Sequence, residues 1–271
     1  MKILLLGKRS LVAFALASKM KEGGMDFEWL SYDQISNENS SFFDSYSHVF
    51  NCIAYTNVDK AEEEKELAYA INSAFVKKLA SSRCKLIHYS TDYVFDGKSS
   101  KVYNEMAETA PLSVYGKTKL EGEIAALNKK NALVIRTSWV YGPSKTNFAQ
   151  AVLKNMVEKK EVRIVSNQRS KATYSLDLAT ASLNLISESG LFHFANEGII
   201  DRLTFAKKMK EFAGLDCSIA LADPSEFNVK AKRPPFSALS TEKYERVTGL
   251  PVRDWQEPLE EYIKELRGAA C

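Results

Sequence analysis

Five short apolar segments, each tied to a turn and a helix-like stretch, constrain this 271-residue chain more than any other feature. The first, Ile3 to Leu6, is continuously apolar and closes on Gly7, and residues 11–20 then follow a helical pattern. A strand without polar alternation is covered on both faces, as in a parallel sheet lying between helices. Further strands are expected over residues 28–32, 48–54, 85–90 and 133–137, with helices over 62–80 and 114–127 between them. This alternation predicts βαβ units and an α/β fold with a doubly wound, Rossmann-like parallel sheet.

After Pro143 the rhythm loosens. Helices are expected over 148–159, 176–186 and 204–212, with short strands over 163–165 and 191–195. Pro224, Pro234 and Pro235 mark an irregular stretch before closing helices around Lys243 and Glu260. No internal repeat or low-complexity linker interrupts the chain. It therefore divides into residues 1–143 and a smaller C-terminal α/β part, residues 144–271, packed on the first.

Composition narrows the function classes. With 45% hydrophobic and 26% charged residues the chain is neither disordered nor fibrous. Thirty-seven Lys and Arg against 34 Asp and Glu give a formal charge of +3, which supplies no basic stripe, so nucleic acid is not an expected partner. Cys52, Cys84, Cys217 and Cys271 form no CxxC pair, and with three histidines in the chain no metal site is expected. The N-terminal apolar run is too short for a signal segment, and no stretch approaches the ~20 apolar residues of a membrane span. These features predict a reduced, cytoplasmic protein that does not use the membrane.

Ligands of open parallel sheets bind outside the carboxyl ends of the strands. Two candidates for chemistry fall there. Tyr115 and Lys119 are four apart on an expected helix and so share a face, where an ammonium would favour the phenolate. Such a pair can exchange a proton with a carbonyl or alcohol oxygen. A second Tyr-x-x-x-Lys, Tyr141 to Lys145, contains Pro143 and reads as a turn. The run from Ser90 to Phe95 ends the fourth strand, and a hydroxyl there would face the crevice; alone, Thr91 and Asp92 would simply cap a turn. His48, His88 and His193 lie in or beside apolar strands and are read as structural.

Taken together, these residues identify a resemblance. Asn51 to Glu62, Ile71-Asn72, His88 to Gly97, Tyr115 to Glu123, Arg136 to Gly142, Asn147 to Ala149, Arg233-Pro234 and Leu239 to Lys243 follow one another as in the dTDP-4-dehydrorhamnose reductase family of extended short-chain dehydrogenases. The resemblance spans most of the chain. It implies a dinucleotide-binding domain over residues 1–143, a mainly substrate-binding part over 144–271, and NADPH or NADH as cofactor. It also implies hydride transfer to the C4 keto carbon of a nucleotide-linked 6-deoxyhexulose, for rhamnose or related surface-glycan synthesis. In that scheme Tyr115 donates the proton, Lys119 lowers the Tyr115 pKa and holds the nicotinamide ribose, and Thr91 hydrogen-bonds the carbonyl oxygen. Asp92, Tyr93 and Trp139 would lie near the sugar, although Trp139 alone also reads as core. Gly7, Arg9, Ser10, Leu11, Val12, Asp33, Ala54, Tyr55, Thr56 and Asn72 would face the cofactor. The molecule would be a monomer or homodimer.

The chain departs from that pattern at its glycine loop. Where the superfamily carries GxxGxxG, this chain has Gly7, Ser10 and Ala13. Ser10 would be strained if the position required positive φ, but it can also donate at a helix N-terminus. Arg9 favours NADP and Asp33 favours NAD, so the choice stays open. The stretch between Asp33 and His48 is short for a crossover helix, a metal-binding Glu of some family members is replaced by Ala15, and Glu62-Glu63-Glu64 reads as a solvated helix start. A second reading follows from the altered loop: a non-catalytic binding protein, like the regulatory subunit of methionine adenosyltransferase. A third keeps the enzyme with a different nucleotide sugar.

Overall fold

A computed structural model describes residues 1–144, 147–223, 226 and 229–268, so Lys145, Pro224 and Cys271 lie outside the described residues. Six strands form a parallel sheet: β1 (Ile3–Leu6), β2 (Phe27–Leu30), β3 (His48–Asn51), β4 (Lys85–Thr91), β5 (Leu133–Thr137) and β6 (Gly190–His193). Their order is β6-β5-β4-β3-β1-β2. Successive strand side chains point to opposite faces. Ile3 and Leu5 accordingly pack with α1 (Leu11–Glu22), whereas Leu4 and Leu6 join a cluster with Phe75, Val76 and Leu79 from a helix over residues 65–80, α2.

Helix α3 (Val114–Leu127) packs beside α2. The α2 helix carries a π turn, Ala70–Ala74, in its middle. Helix α4 (Phe148–Glu158) follows, and α5 (Ser175–Asn184) lies against α1 on the other face. The C-terminal half therefore supplies a strand, β6, and a covering helix to the main sheet. It also builds a separate core, in which Tyr141, Met156, Phe205, Trp255 and Tyr262 join α4, α6 (Arg202–Ala213) and α7 (Gln256–Gly268). Among the described residues no helix is long and apolar enough to cross a membrane.

Strand β1 lies between β2 and β3. The chain thus leaves β1 in one direction and returns on its other side, which opens a crevice at the carboxyl ends of β1 and β3. As the short Asp33–His48 stretch implied, the return carries no full helix, only the turn Tyr32–Ile35 and a 3-10 segment, Ser40–Ser45.

Candidate active site

A cleft of about 610 Å³ runs along the strand ends from Gly7 to Trp139 and Val140. Its first wall is the β1–α1 turn. Gly7 has φ +106°, and a Cβ there would lie 3.1 Å from the Cys52 carbonyl carbon and oxygen, so only glycine fits this turn. Ser10 has φ −90° and is the N-cap of α1, accepting from the Ala13 N–H at 3.4 Å. The position needs no glycine, so the Ser10 substitution is not a backbone fault. The first-turn N–H groups of α1 have no partner within the helix and face an anion well. Arg9 and Asp33 both line the cleft and are exposed, the cation and the carboxylate standing at the same mouth.

The structure brings Thr91, Tyr115 and Lys119 to the other end of this cleft. Helix α3 starts at Ser113, whose hydroxyl accepts from the Gly116 N–H at 3.2 Å. A side chain at Gly116 would meet the Tyr93 carbonyl oxygen at 2.3 Å, so this glycine lets α3 close on the turn after β4. Tyr115 lines the cleft with Thr91, and its ring meets Tyr93 edge-on, centroids 5.6 Å apart. Burial pushes the Tyr115 phenol above its ordinary range; Thr91 opposes this, while Asp92 and Tyr93 add to it. Burial likewise pulls the Lys119 ammonium down to about 8, against the pull of Glu123 and Cys52. Lys119 Nζ donates to the Tyr89 carbonyl at 2.5 Å. The expected lowering of the Tyr115 pKa by Lys119 is thus absent: the ammonium is turned to the strand, and burial of the phenol dominates.

Beyond Tyr115 lies a polar pocket side. The buried Asp92 carboxylate accepts from Ser237 Oγ at 2.6 Å, Thr91 Oγ1 at 3.1 Å and Ser170 Oγ at 3.3 Å. Burial raises its pKa to about 6 despite these donors and the Arg202 charge. Trp139 lines the cleft with φ +43°, a conformation that costs a non-glycine residue about 1–3 kcal/mol. The Arg202 guanidinium is stacked 3.8 Å from the Trp139 ring centroid and 4.2 Å from that of Phe148. Burial lowers its pKa to about 10, and it makes no hydrogen bond or ion pair among the described residues. Arg233 pairs with Asp59 at 2.6 Å and donates to the Ala231 carbonyl at 3.1 Å.

Other expected residues divide. Leu11, Val12, Ala54 and Thr56 line the cleft. Tyr55, Asn72 and Tyr93 stand outside its lining. Asn72, in the π turn of α2, accepts from the Tyr55 N–H at 2.8 Å and donates to the Tyr55 carbonyl at 3.1 Å, so it fixes the loop that forms the wall. Tyr55 donates its hydroxyl to Glu64 at 2.7 Å. The acidic run opens a helix as expected, with Glu63 and Glu64 exposed and Glu63 paired with Lys230, but Glu62 also meets the amino end of α3, accepting from the Val114 N–H at 2.8 Å. His88 and His193 are fully buried and held by Asn51 and Tyr103, His48 being half-buried beside Ser47. Of the second Tyr-x-x-x-Lys, Tyr141 is buried in an aromatic cluster and Lys145 falls outside the described residues.

Ser90, Thr137 and Ser138, at the carboxyl ends of β4 and β5 where the sequence places the ligand crevice, also line the cleft, although no role is expected of them individually. Sequence reasoning missed Arg202, which had no signal beyond a basic helix. Ser90 Oγ is buried in the cleft wall without a hydrogen-bond partner among the described residues, a polar atom that a bound dinucleotide's own polar groups would satisfy. Together with the Gly7 cradle, this donor set fits such a group.

Comparison with known proteins agrees with this geometry. A family model described as the RmlD substrate binding domain matches residues 1–268. The spore coat polysaccharide biosynthesis protein SpsK of Bacillus subtilis is 36% identical over 282 residues, covering 100% of this chain and 99% of the relative. The structure of a dTDP-4-dehydrorhamnose reductase from Clostridium acetobutylicum is 33% identical with a TM-score of 0.93, covering 98% of this chain and 100% of the other. That of the Bacillus anthracis dTDP-4-dehydrorhamnose reductase in complex with NADP is 29% identical with a TM-score of 0.91, covering 97% and 99%.

Proposed function

Because the chain belongs to the RmlD substrate binding domain family, that of the dTDP-4-dehydrorhamnose reductases, we propose that it reduces the C4 keto group of a nucleotide-linked 6-deoxyhexulose with NADPH or NADH. The observation that carries this reading is the convergence of Thr91, Tyr115 and Lys119 on one end of a cleft that starts in a dinucleotide turn at Gly7. The product would enter rhamnose or related surface-glycan synthesis, a role supported by the likeness to SpsK. Residues 1–143 bind the dinucleotide in this reading, and residues 144–271 mainly bind the sugar nucleotide.

When bound, the reduced nicotinamide supplies the hydride that forms the new C–H bond. Tyr115 gives its phenolic proton to the former carbonyl oxygen, so the keto group becomes an alcohol, and solvent restores the phenol. Burial keeps that phenol protonated, which suits a donor. Thr91 Oγ1, turning its one proton from Asp92, donates to the same oxygen as negative charge gathers on it. Lys119 offers its remaining N–H groups to the cofactor ribose. Gly7, Arg9, Ser10, Leu11 and Val12 take the phosphates, and Asp33 the adenosine ribose; Ala54 and Thr56 flank them on a loop held by Tyr55 and Asn72. Asp92, Tyr93 and Trp139 orient the sugar, while Arg202 and Arg233 bring two guanidinium groups for the sugar nucleotide's phosphates.

The test is a titration with NADPH and NADH followed by nicotinamide fluorescence, then an assay with a dTDP-4-dehydro-6-deoxyhexose. Saturable binding and sugar-dependent oxidation of the cofactor are expected. Failure to bind either dinucleotide, or binding without oxidation, would overturn the reading.

A further inference from the structure

Next to Lys119 lies a buried charge arrangement that this chemistry leaves unused. Glu123 follows Lys119 by one turn of α3, so the two side chains share a helix face. Glu123 and Arg136 are only 2% and 3% exposed. Arg136, on β5, grips both carboxylate oxygens: Nε donates to Oε2 at 2.9 Å and Nη2 to Oε1 at 2.5 Å. The guanidinium is fixed in turn by Phe95, whose ring centroid is 5.0 Å away, and by His193 Nε2 at 3.3 Å. His193 Nδ1 lies 3.1 Å from the Tyr103 carbonyl, so Nδ1 carries the proton and Nε2 accepts from Arg136. Burial and the Arg136 charge bring the His193 pKa down to about 3, so the ring stays neutral.

Stability alone gives little reason for such a pair. Desolvation costs each ion several kcal/mol, and apolar residues of the same volume are often as stable. What the pair supplies is direction, because its carboxylate lies one helical turn from Lys119 on the same face while its guanidinium is tied to β5 and, through His193, to β6. The other groups facing Lys119 are Tyr115 on α3, Cys52 after β3, and His88 and the Tyr89 carbonyl on β4. Burial pushes the Tyr115 and Cys52 protons on and the His88 proton off, so all three are neutral near pH 7. Glu123 is left as the anion opposite the ammonium. We propose that Glu123, clamped by Arg136, is the buried counter-ion that keeps Lys119 charged and seated on the Tyr89 carbonyl. Glu123 and Arg136 are thus positioning residues of the active site.

Glu123→Gln alone would strand Arg136 as an unpaired buried cation, so the deciding variant is Glu123→Leu/Arg136→Met, which fills the volume without charge. Lys119 is followed in [13Cε]lysine-labelled protein by NMR, its signal assigned by its absence in Lys119→Met. It is expected to titrate near 8 in the unaltered protein, and with about tenfold weaker proton affinity in the folded double variant. Glu123→Asp keeps Arg136 paired while drawing the carboxylate back, and should shift Lys119 less in the same direction; it decides the matter if the double variant does not fold. An unchanged Lys119 titration in whichever of these variants folds overturns the proposal. A kinetic arm rests on the reductase reading: the alkaline limb of kcat/KM moves to lower pH by the same amount. The NMR arm needs no turnover, so an inactive chain would refute the reductase reading and leave the counter-ion test intact.

Discussion

Ser237 donates its hydroxyl to the Asp92 carboxylate at 2.6 Å and so ties the segment after Pro234-Pro235 to the end of β4. Even with this bond, burial raises the Asp92 pKa from an ordinary 3.8 to about 6. Between those values the folded chain retains a proton that the unfolded chain has released. The stability linked to Asp92 is therefore complete below the unfolded value and is lost as pH rises toward 6, by up to ~3 kcal/mol. Asp92→Asn removes this term. Relative to the unaltered protein it should gain ~1–3 kcal/mol at pH 8 over its standing at pH 4, read from urea midpoints. Equal differences at the two pH values would contradict this.

Tyr115→Phe should lower kcat by about 10²- to 10⁴-fold and leave dinucleotide affinity within about twofold, because only the transferred proton is lost. Since burial raises the phenol, the rate of reduction should show no loss from Tyr115 ionisation below its ordinary value of 10. Thr91→Val should lower kcat by about 10²- to 10³-fold with the same binding. Steady-state kinetics beside a cofactor titration separate these effects. Equal losses in binding and kcat would instead make Tyr115 a structural residue.

Much of this arrangement could be read from residue order. The expected helix 114–127 and strand 133–137 coincide with α3 and β5, because both have clear ends, Ser113 capping α3 and β5 opening on the apolar run Leu133 to Ile135, although the buried face of α3 is largely small and polar. Strand β6 was legible as a strand over 191–195, but its pairing with β5 depends on a long-range contact between Gly190 and Leu133 that no local pattern carries. The same holds for Asp92, whose partners Ser170 and Ser237 are distant in sequence. Glu62 looked solvated because the chain alone does not reveal that it meets Val114. Arg202 was hidden for a related reason: its stacking partners, Trp139 and Phe148, come from other elements.

The β1–α1 turn predicts opposite tolerance at its two positions. Gly7→Ala puts a Cβ at φ +106° and 3.1 Å from the Cys52 backbone, so it should cost about 1–3 kcal/mol and weaken dinucleotide binding. Ser10→Gly restores the superfamily residue where φ is −90°, removes one N-cap bond, and should cost only a few tenths of a kcal/mol. It should change cofactor affinity by no more than about threefold. A large gain in affinity on Ser10→Gly would mean that serine impairs the loop, and would favour the binding-protein reading of this chain.

Arg202 should act on the sugar nucleotide and not on the dinucleotide. Its guanidinium lies over the Trp139 and Phe148 rings with no hydrogen bond among the described residues, so its donors are available to an anion. Charge-assisted hydrogen bonds contribute about 1.5–3 kcal/mol. Arg202→Met should thus raise KM for the sugar nucleotide about 10- to 100-fold with cofactor affinity unchanged. Arg202→Lys should not restore it, because an ammonium keeps the charge but loses the fork of donors that a guanidinium presents to a phosphate. The substitution to Met also withdraws a positive charge from Asp92 and should raise that carboxyl further. Parallel titrations of cofactor and sugar nucleotide check the assignment, and an equal loss of both affinities would instead make Arg202 a brace for the whole cleft.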